Sequence, residues 1–235
     1  MNHSGNLPEQ TRSSMFSPEI GQDCRPNRGT RSATARQTNI LCRVSHRVSD
    51  GERVARSGHA GAIVWLTGLS GSGKSTLAMS LERSLFDAGF MVYVLDGDNL
   101  RHGLNSDLGF TPQSRRENIR RVGEAAALFA DAGFVCIAAL ISPHAKDREA
   151  VRAAAMERPF FELYLQADVE ICERRDPKGL YRLARSGQLR DFTGVDAPYE
   201  APAAPDLVVD TANQSLESCV EHCFDFLARR LRAAR

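Results

Sequence analysis

Lysine is nearly missing from this chain. Of its 30 lysines and arginines, only Lys74, Lys146 and Lys178 are lysine, so a compact ammonium is kept at three places while arginine serves elsewhere. The six cysteines, at 24, 42, 136, 172, 219 and 223, include no CxxC pair, which removes the usual zinc-ribbon and thioredoxin-like signatures. One cluster, CVEHC from Cys219 to Cys223 around His222, puts two thiols on one helical face. A closed zinc site needs four ligands, so these read as small apolar residues on the packed side of the last helix. No run reaches the roughly 18 apolar residues of a membrane span, and the opening residues form no apolar signal segment. With the cysteine usage, this fits a reducing cytoplasm and no membrane partner. A net charge of +1 leaves no generally basic surface for nucleic acid, so any anion site must be local. No internal repeat is present.

What is present has an order. Residues 1–37 are rich in Ser, Arg, Gly, Pro and Asn without helical or strand period, and read as a disordered tail. Residues 38–60 form a polar lead-in, and residues 61–235 a single regular domain. There the apolar runs AIVWLT (62–67), FMVYVLD (90–96), VCIAALI (135–141), FFELYLQ (160–166) and LVVDT (207–211) alternate with helix-like stretches. Continuous apolar runs mean strands covered on both faces, and alternation with helices means a parallel sheet. The fold class is therefore three-layer α/β with about five parallel strands. Leu77, Leu81 and Leu85 repeat at helical spacing up to Gly89. Ser114 and Glu117 stand at capping-box spacing ahead of a helix ending at Gly133.

The stretch Gly68, Leu69, Ser70, Gly71, Ser72, Gly73, Lys74, Ser75, Thr76 matches GxxxxGKS/T between a buried strand and an amphipathic helix. Glycines let the backbone curl so that amide hydrogens converge, and the helix start adds partial positive charge. Lys74 then reaches the outer phosphates and Ser75 offers a hydroxyl to Mg2+. A nucleoside triphosphate is the implied ligand, although the loop alone does not separate a kinase from a GTPase or a motor.

LDGDNLRHGLNSDLGF (95–110) ends an apolar strand in two carboxylates, Asp96 and Asp98. Such charges need a metal, a phosphate, a reacting hydroxyl or a salt bridge to Arg101 or Arg115 as partner. The basic run SRRENIRR lies on one helix without interleaved aromatics, unlike a nucleic-acid surface. His59 and His102 stand beside glycines and read as solvated or turn-anchoring residues.

These motifs, with ERVARSGHAGAIVWLTGLSGSGKST, LISPHAKDR, DPKGLYR and DFTGVDAPYEAP, resemble the adenylylsulfate kinases, a family of P-loop kinases, over residues 38–212. The resemblance implies transfer of the ATP γ-phosphate to the 3′-hydroxyl of adenosine 5′-phosphosulfate (APS), giving PAPS, with Mg2+. It places Asp96 and Asp98 at the metal and the hydroxyl, with Ser75 also on the metal. Arg101, Arg115, Asn118 and Ile141 fall on the APS site, and Phe110 and Phe192 on the two sides of its adenine. Lys178 becomes the cation of a lid spanning about 172–200. Ser142 is the position that the family labels a phosphoserine intermediate, a role that direct in-line transfer does not need. Where the family usually has tyrosine after Ser-Pro this chain has His144, and where it commonly has a lid cation this chain has Leu183. The resemblance also implies a homodimer, with residues 38–60 as contact segment, and functional coupling to an ATP sulfurylase that supplies APS.

Overall fold

The computed structural model describes residues 22–23, 43–44 and 46–232. The chain divides into two units, 1–49 and 50–235. In the first, a two-residue antiparallel pair joins Gln22 to Val44 and Asp23 to Arg43; the rest of the expected tail lies outside the described residues.

The second unit is built on five parallel strands, β1 (Ala62–Thr67), β2 (Val92–Asp96), β3 (Val135–Ala139), β4 (Phe160–Gln166) and β5 (Leu207–Asp210), in the order β2-β3-β1-β4-β5. All six residues of β1 and all five of β3 are buried, because helices cover both faces and leave no side of these strands for polar residues. On one face lie α2 (Lys74–Asp87) and α8 (Leu216–Leu231), which contribute Leu77, Leu81, Leu85, Leu227 and Leu231. On the other lie α4 (Pro112–Asp131) and α5 (Ala145–Ala154), with Ile119, Val122, Ala126 and Val151. Each fully buried leucine is worth roughly 1.5–3 kcal/mol relative to exposure. Gly123 lets α4 approach α5, since a Cβ there would meet the Val151 methyls at 2.9 Å. Cys219 and Cys223 sit in this core as apolar residues, and burial pushes the Cys223 thiol up to about 12.

Three local expectations are corrected. The helix expected to open at Ser114 and Glu117 opens earlier: Thr111 is the N-cap, its Oγ1 accepting from the Ser114 amide at 3.2 Å, and Pro112 takes the first helical position. Proline there has no N–H to leave unsatisfied, while Glu117 is occupied by Arg120 and Arg121. Strand β2 starts at Val92 rather than Phe90, because the Met91 amide donates to His59 Nε2 at 2.9 Å. His59 is accordingly buried, with Nδ1 3.0 Å from the Ala60 carbonyl, and ties two strand starts together. The polar lead-in carries a helix of its own, α1 (Asp50–Ser57), held by an ion pair from Arg158 to Asp50.

Candidate active site

At the carboxyl ends of β1, β2 and β3 the chain leaves the sheet, and a cavity of about 900 Å3 opens there, the usual ligand position in an open α/β sheet. Its floor is the phosphate loop. Gly68, Gly71 and Gly73 all take positive φ. A Cβ on Gly71 would collide with the Cys172 carbonyl at 2.8 Å, so the loop is closed around its neighbours as well as curled. Ser70 to Thr76 line the cavity, whereas Gly68 and Leu69 do not. Those two act through their carbonyls, which accept from Lys74 Nζ at 3.0 and 2.7 Å. Burial pulls the Lys74 ammonium down to about 8, partly opposed by Asp98 and Asp96.

Asp96 ends β2 and caps the four-residue α3 (Gly97–Leu100), its Oδ1 accepting from the Asp98 and Asn99 amides at 3.0 and 3.3 Å. Its other oxygen accepts from Ser75 Oγ at 2.6 Å. The two side chains named for a metal are thus in contact. Asp98 behaves differently: it is exposed and ion-paired with Lys178 from the turn between α6 (Val169–Arg175) and α7 (Leu180–Arg185).

The expected acceptor residues Arg101, Phe110, Arg115, Asn118, Ile141, Lys178 and Phe192 all line the same cavity. Arg101 Nη1 donates to the Leu108 and Gly109 carbonyls, and its guanidinium lies over the Phe110 ring at 4.3 Å. Arg115 donates to the carbonyls of Phe110 and Asp191. Burial lowers the affinity of both guanidinium groups for their proton. Of the arginines in SRRENIRR, Arg115 alone reaches the cavity; Arg116, Arg120 and Arg121 are paired with Asp147, Glu117 and Asp107. The two phenylalanines are unlike: Phe110 is 63% exposed, whereas Phe192 is buried and packs edge-on against Tyr181 at 5.0 Å.

Ser142 lines the cavity while only 2% exposed. Its hydroxyl accepts from Trp65 Nε1 at 3.1 Å and donates to Thr67 Oγ1 at 3.0 Å. Thr67 in turn donates to the Ile141 carbonyl at 2.8 Å and lies 3.0 Å from the Tyr199 hydroxyl.

Sequence reasoning missed several of these residues. Asn105 is fully buried, and its Nδ2 donates to Asn118 Oδ1 at 3.0 Å, leaving the Asn118 N–H groups for the cavity. Asn105 Oδ1 has no hydrogen-bond partner. Beyond the phosphate loop the cavity continues to Arg175, Thr211 and Gln214. Thr211 Oγ1 donates to the Ser72 carbonyl at 2.9 Å. The polar end of the LVVDT run is the available signal for Thr211, and membership of LDGDNLRHGLNSDLGF is that for Asn105; Gln214 carries none.

Residues 60–210 match the family model described as adenylylsulphate kinase. The adenylyl-sulfate kinase of Geotalea uraniireducens (strain Rf4) is 58% identical over 175 residues, 74% of this chain and 84% of that protein. The Mycobacterium tuberculosis APS kinase, solved with AMPPNP and APS, superposes with a TM-score of 0.70 at 47% identity, covering 72% of this chain and 98% of the other. A hexameric APS kinase from Thiobacillus denitrificans is 26% identical with a TM-score of 0.56, over 83% of this chain and 39% of that one.

Proposed function

The chain belongs to the adenylylsulphate kinase family and makes PAPS from APS and ATP, and from that premise we propose how its cavity divides the work. ATP lays its phosphates on the amides of Ser70 to Thr76, with Lys74 exchanging the Gly68 and Leu69 carbonyls for phosphate oxygens. APS enters from the Phe110 side. Arg101 and Arg115 meet its sulfate and phosphate oxygens, Asn118 donates from its fixed amide, and the adenine lies against Phe110 with Phe192 behind it.

The Ser75 hydroxyl and the Asp96 carboxylate are hard oxygen donors 2.6 Å apart, which suits Mg2+, an ion that takes one or two protein oxygens and fills its shell with phosphate and water. When bound, Mg2+ supplies charge neutralisation across the phosphate oxygens. Asp98, exposed and facing Lys178, takes the 3′-hydroxyl proton as that oxygen attacks the γ-phosphorus. The P–O bond to ADP breaks in line, and Lys178 and Lys74 hold the transferring oxygens. Ser142 stays a wall residue in this scheme. Its hydroxyl is engaged as donor to Thr67 and acceptor from Trp65, and a nucleophile would have to give up the proton it places on Thr67.

The segment 172–200 acts as the lid that carries Lys178 and excludes water from the transfer. Self-association is proposed through residues 38–60, with an ATP sulfurylase in the cytoplasm supplying APS. Among the described residues no helix is long and apolar enough to cross a membrane.

The observation that carries this reading is the meeting, in one cavity, of the phosphate loop, the two aspartates and the arginine and phenylalanine pairs. Its test is product formation from Mg-ATP with APS, AMP or gluconate as acceptor. PAPS and ADP should appear with APS alone; phosphorylation of AMP or gluconate at a comparable rate would overturn the acceptor assignment.

A further inference from the structure

The loop Leu140 to His144 connects β3 to α5 and forms one wall of the cavity through Leu140, Ile141, Ser142 and Pro143. It carries backbone strain, since Ser142 takes φ +40° without being glycine. Such a conformation persists only where the surroundings over-determine it. The surroundings here converge on one side chain outside the cavity.

Arg148, on α5, is 4% exposed. Its guanidinium makes three different connections: Nε to Glu162 Oε1 on β4 at 2.6 Å, Nη1 to the Ser142 carbonyl at 2.8 Å, and Nη2 to the Glu200 carbonyl at 2.8 Å. Glu200 closes the same assembly from the other side. Its amide donates to the Pro143 carbonyl at 2.8 Å, its Oε2 accepts from the Ala145 amide at 2.7 Å, and its Oε1 lies 3.2 Å from His144 Nδ1. Residue 200 is also the far end of the segment that carries Lys178 and Phe192. A single planar fork therefore joins the strained wall, the central sheet and the end of the lid.

A buried ion pair is weak evidence for stability, because desolvation offsets the attraction. The geometry of Arg148 points to another use. Lysine would keep the charge opposite Glu162 but has no rigid fork with which to hold two carbonyls at once.

We propose that Arg148 is a positioning residue for the acceptor: its guanidinium fixes the Ser142 carbonyl to the Glu200 carbonyl, so the Ile141–Ser142 wall takes its APS-binding shape together with the docked end of the lid. The proposal rests on the reading that this wall faces APS. Arg148 does not line the cavity and touches neither nucleotide in that reading. Its loss is therefore expected in the APS term and not in the ATP term.

The test compares Arg148→Lys, the double variant Arg148→Met with Glu162→Leu, and Ile141→Ala in the full chain. Folding is followed by thermal melting, and KM for APS and for ATP by steady-state kinetics. In Arg148→Lys and the double variant, KM for APS should rise at least about tenfold while KM for ATP stays within about twofold. The double variant removes both charges together, so no lone buried charge remains; should it fail to fold, Arg148→Lys carries the same criterion. A folded variant with KM for APS within about twofold of wild type overturns the proposal. So does a parallel loss in both KM values and in melting temperature, which is what a merely structural residue would give. Ile141→Ala separates the two levels. If it raises KM for APS while the Arg148 variants do not, only the Arg148 proposal falls. If it leaves KM for APS unchanged, the reading of the wall falls and takes the proposal with it.

Discussion

The two halves of the cavity are made of different material. The nucleotide half is backbone: glycines at positive φ, a helix start, and carbonyls that occupy Lys74. The proposed acceptor half is side chains, with Arg101, Phe110 and Lys178 on connections and Arg115 in the first turn of α4, and its three cations are engaged by carbonyls or by a carboxylate. A backbone cradle comes with the fold and recognises any polyphosphate. A side-chain site must exchange each partner for a substrate group, and each exchange can discriminate. Generality and selectivity are thus separated in space, with Asp96 and Asp98 at the seam.

Breaking the seam should have the largest effect. Asparagine is as good an N-cap as aspartate, so Asp96→Asn keeps α3 and its fold but loses the anionic oxygen beside Ser75. Turnover should fall well over tenfold, on the order of 100-fold, with ATP binding by calorimetry nearly unchanged. Near-normal turnover would remove Asp96 from the chemistry. Next comes the acceptor half alone. Arg115→Lys keeps the charge and loses the planar fork, and should raise KM for APS about tenfold while leaving KM for ATP in place. Equal movement of both constants would erase the division.

The nucleotide half has a subtler signature. Burial holds Lys74 at about 8 in the free enzyme, and phosphate anions favour its charged form, so ATP binding takes up a proton above that pH. Calorimetry in two buffers of different ionisation enthalpy should show uptake growing from pH about 7.5 to 8.5, and affinity weakening as pH rises through that range. Proton release would reverse the assignment. The smallest effect is expected from deleting residues 1–37. Among the described residues, all those that line the cavity lie between Ser70 and Cys219, so kcat and both KM values should stay within about twofold, and melting within about 3 °C. A larger drop would bring the tail into the working protein.

The same division explains what could be read from the chain alone. Strands β1 and β4 fall on the limits of their apolar runs, because continuous hydrophobicity has few other structural uses. The phosphate loop is local in sequence, so its spacing carried its chemistry. The start of α4 is ambiguous in the sequence, since Thr111-Pro112 advertises it and Ser114 with Glu117 offers a competing cap of similar quality. Arg148 and Asn105 stand inside the motifs LISPHAKDR and LDGDNLRHGLNSDLGF, yet their roles are not legible there. Arg148 meets Glu162 and Glu200 at 14 and 52 residues' distance, and Asn105 meets Asn118 across 13. A motif marks such a residue without naming the distant partner that gives it its task.

The Lys178–Asp98 pair and the Arg148–Glu162 pair also answer to different features of the medium. Lys178 and Asp98 have side chains 56% and 61% exposed, whereas Arg148 and Glu162 are 4% and 12% exposed. Mobile ions screen the first and hardly reach the second. Ionic strength therefore acts on the Lys178–Asp98 contact far more than on the Arg148–Glu162 contact. Rising salt loosens the contact at Lys178, while the Arg148 fork on the Glu200 carbonyl holds, so one of the two contacts answers to the medium and the other does not.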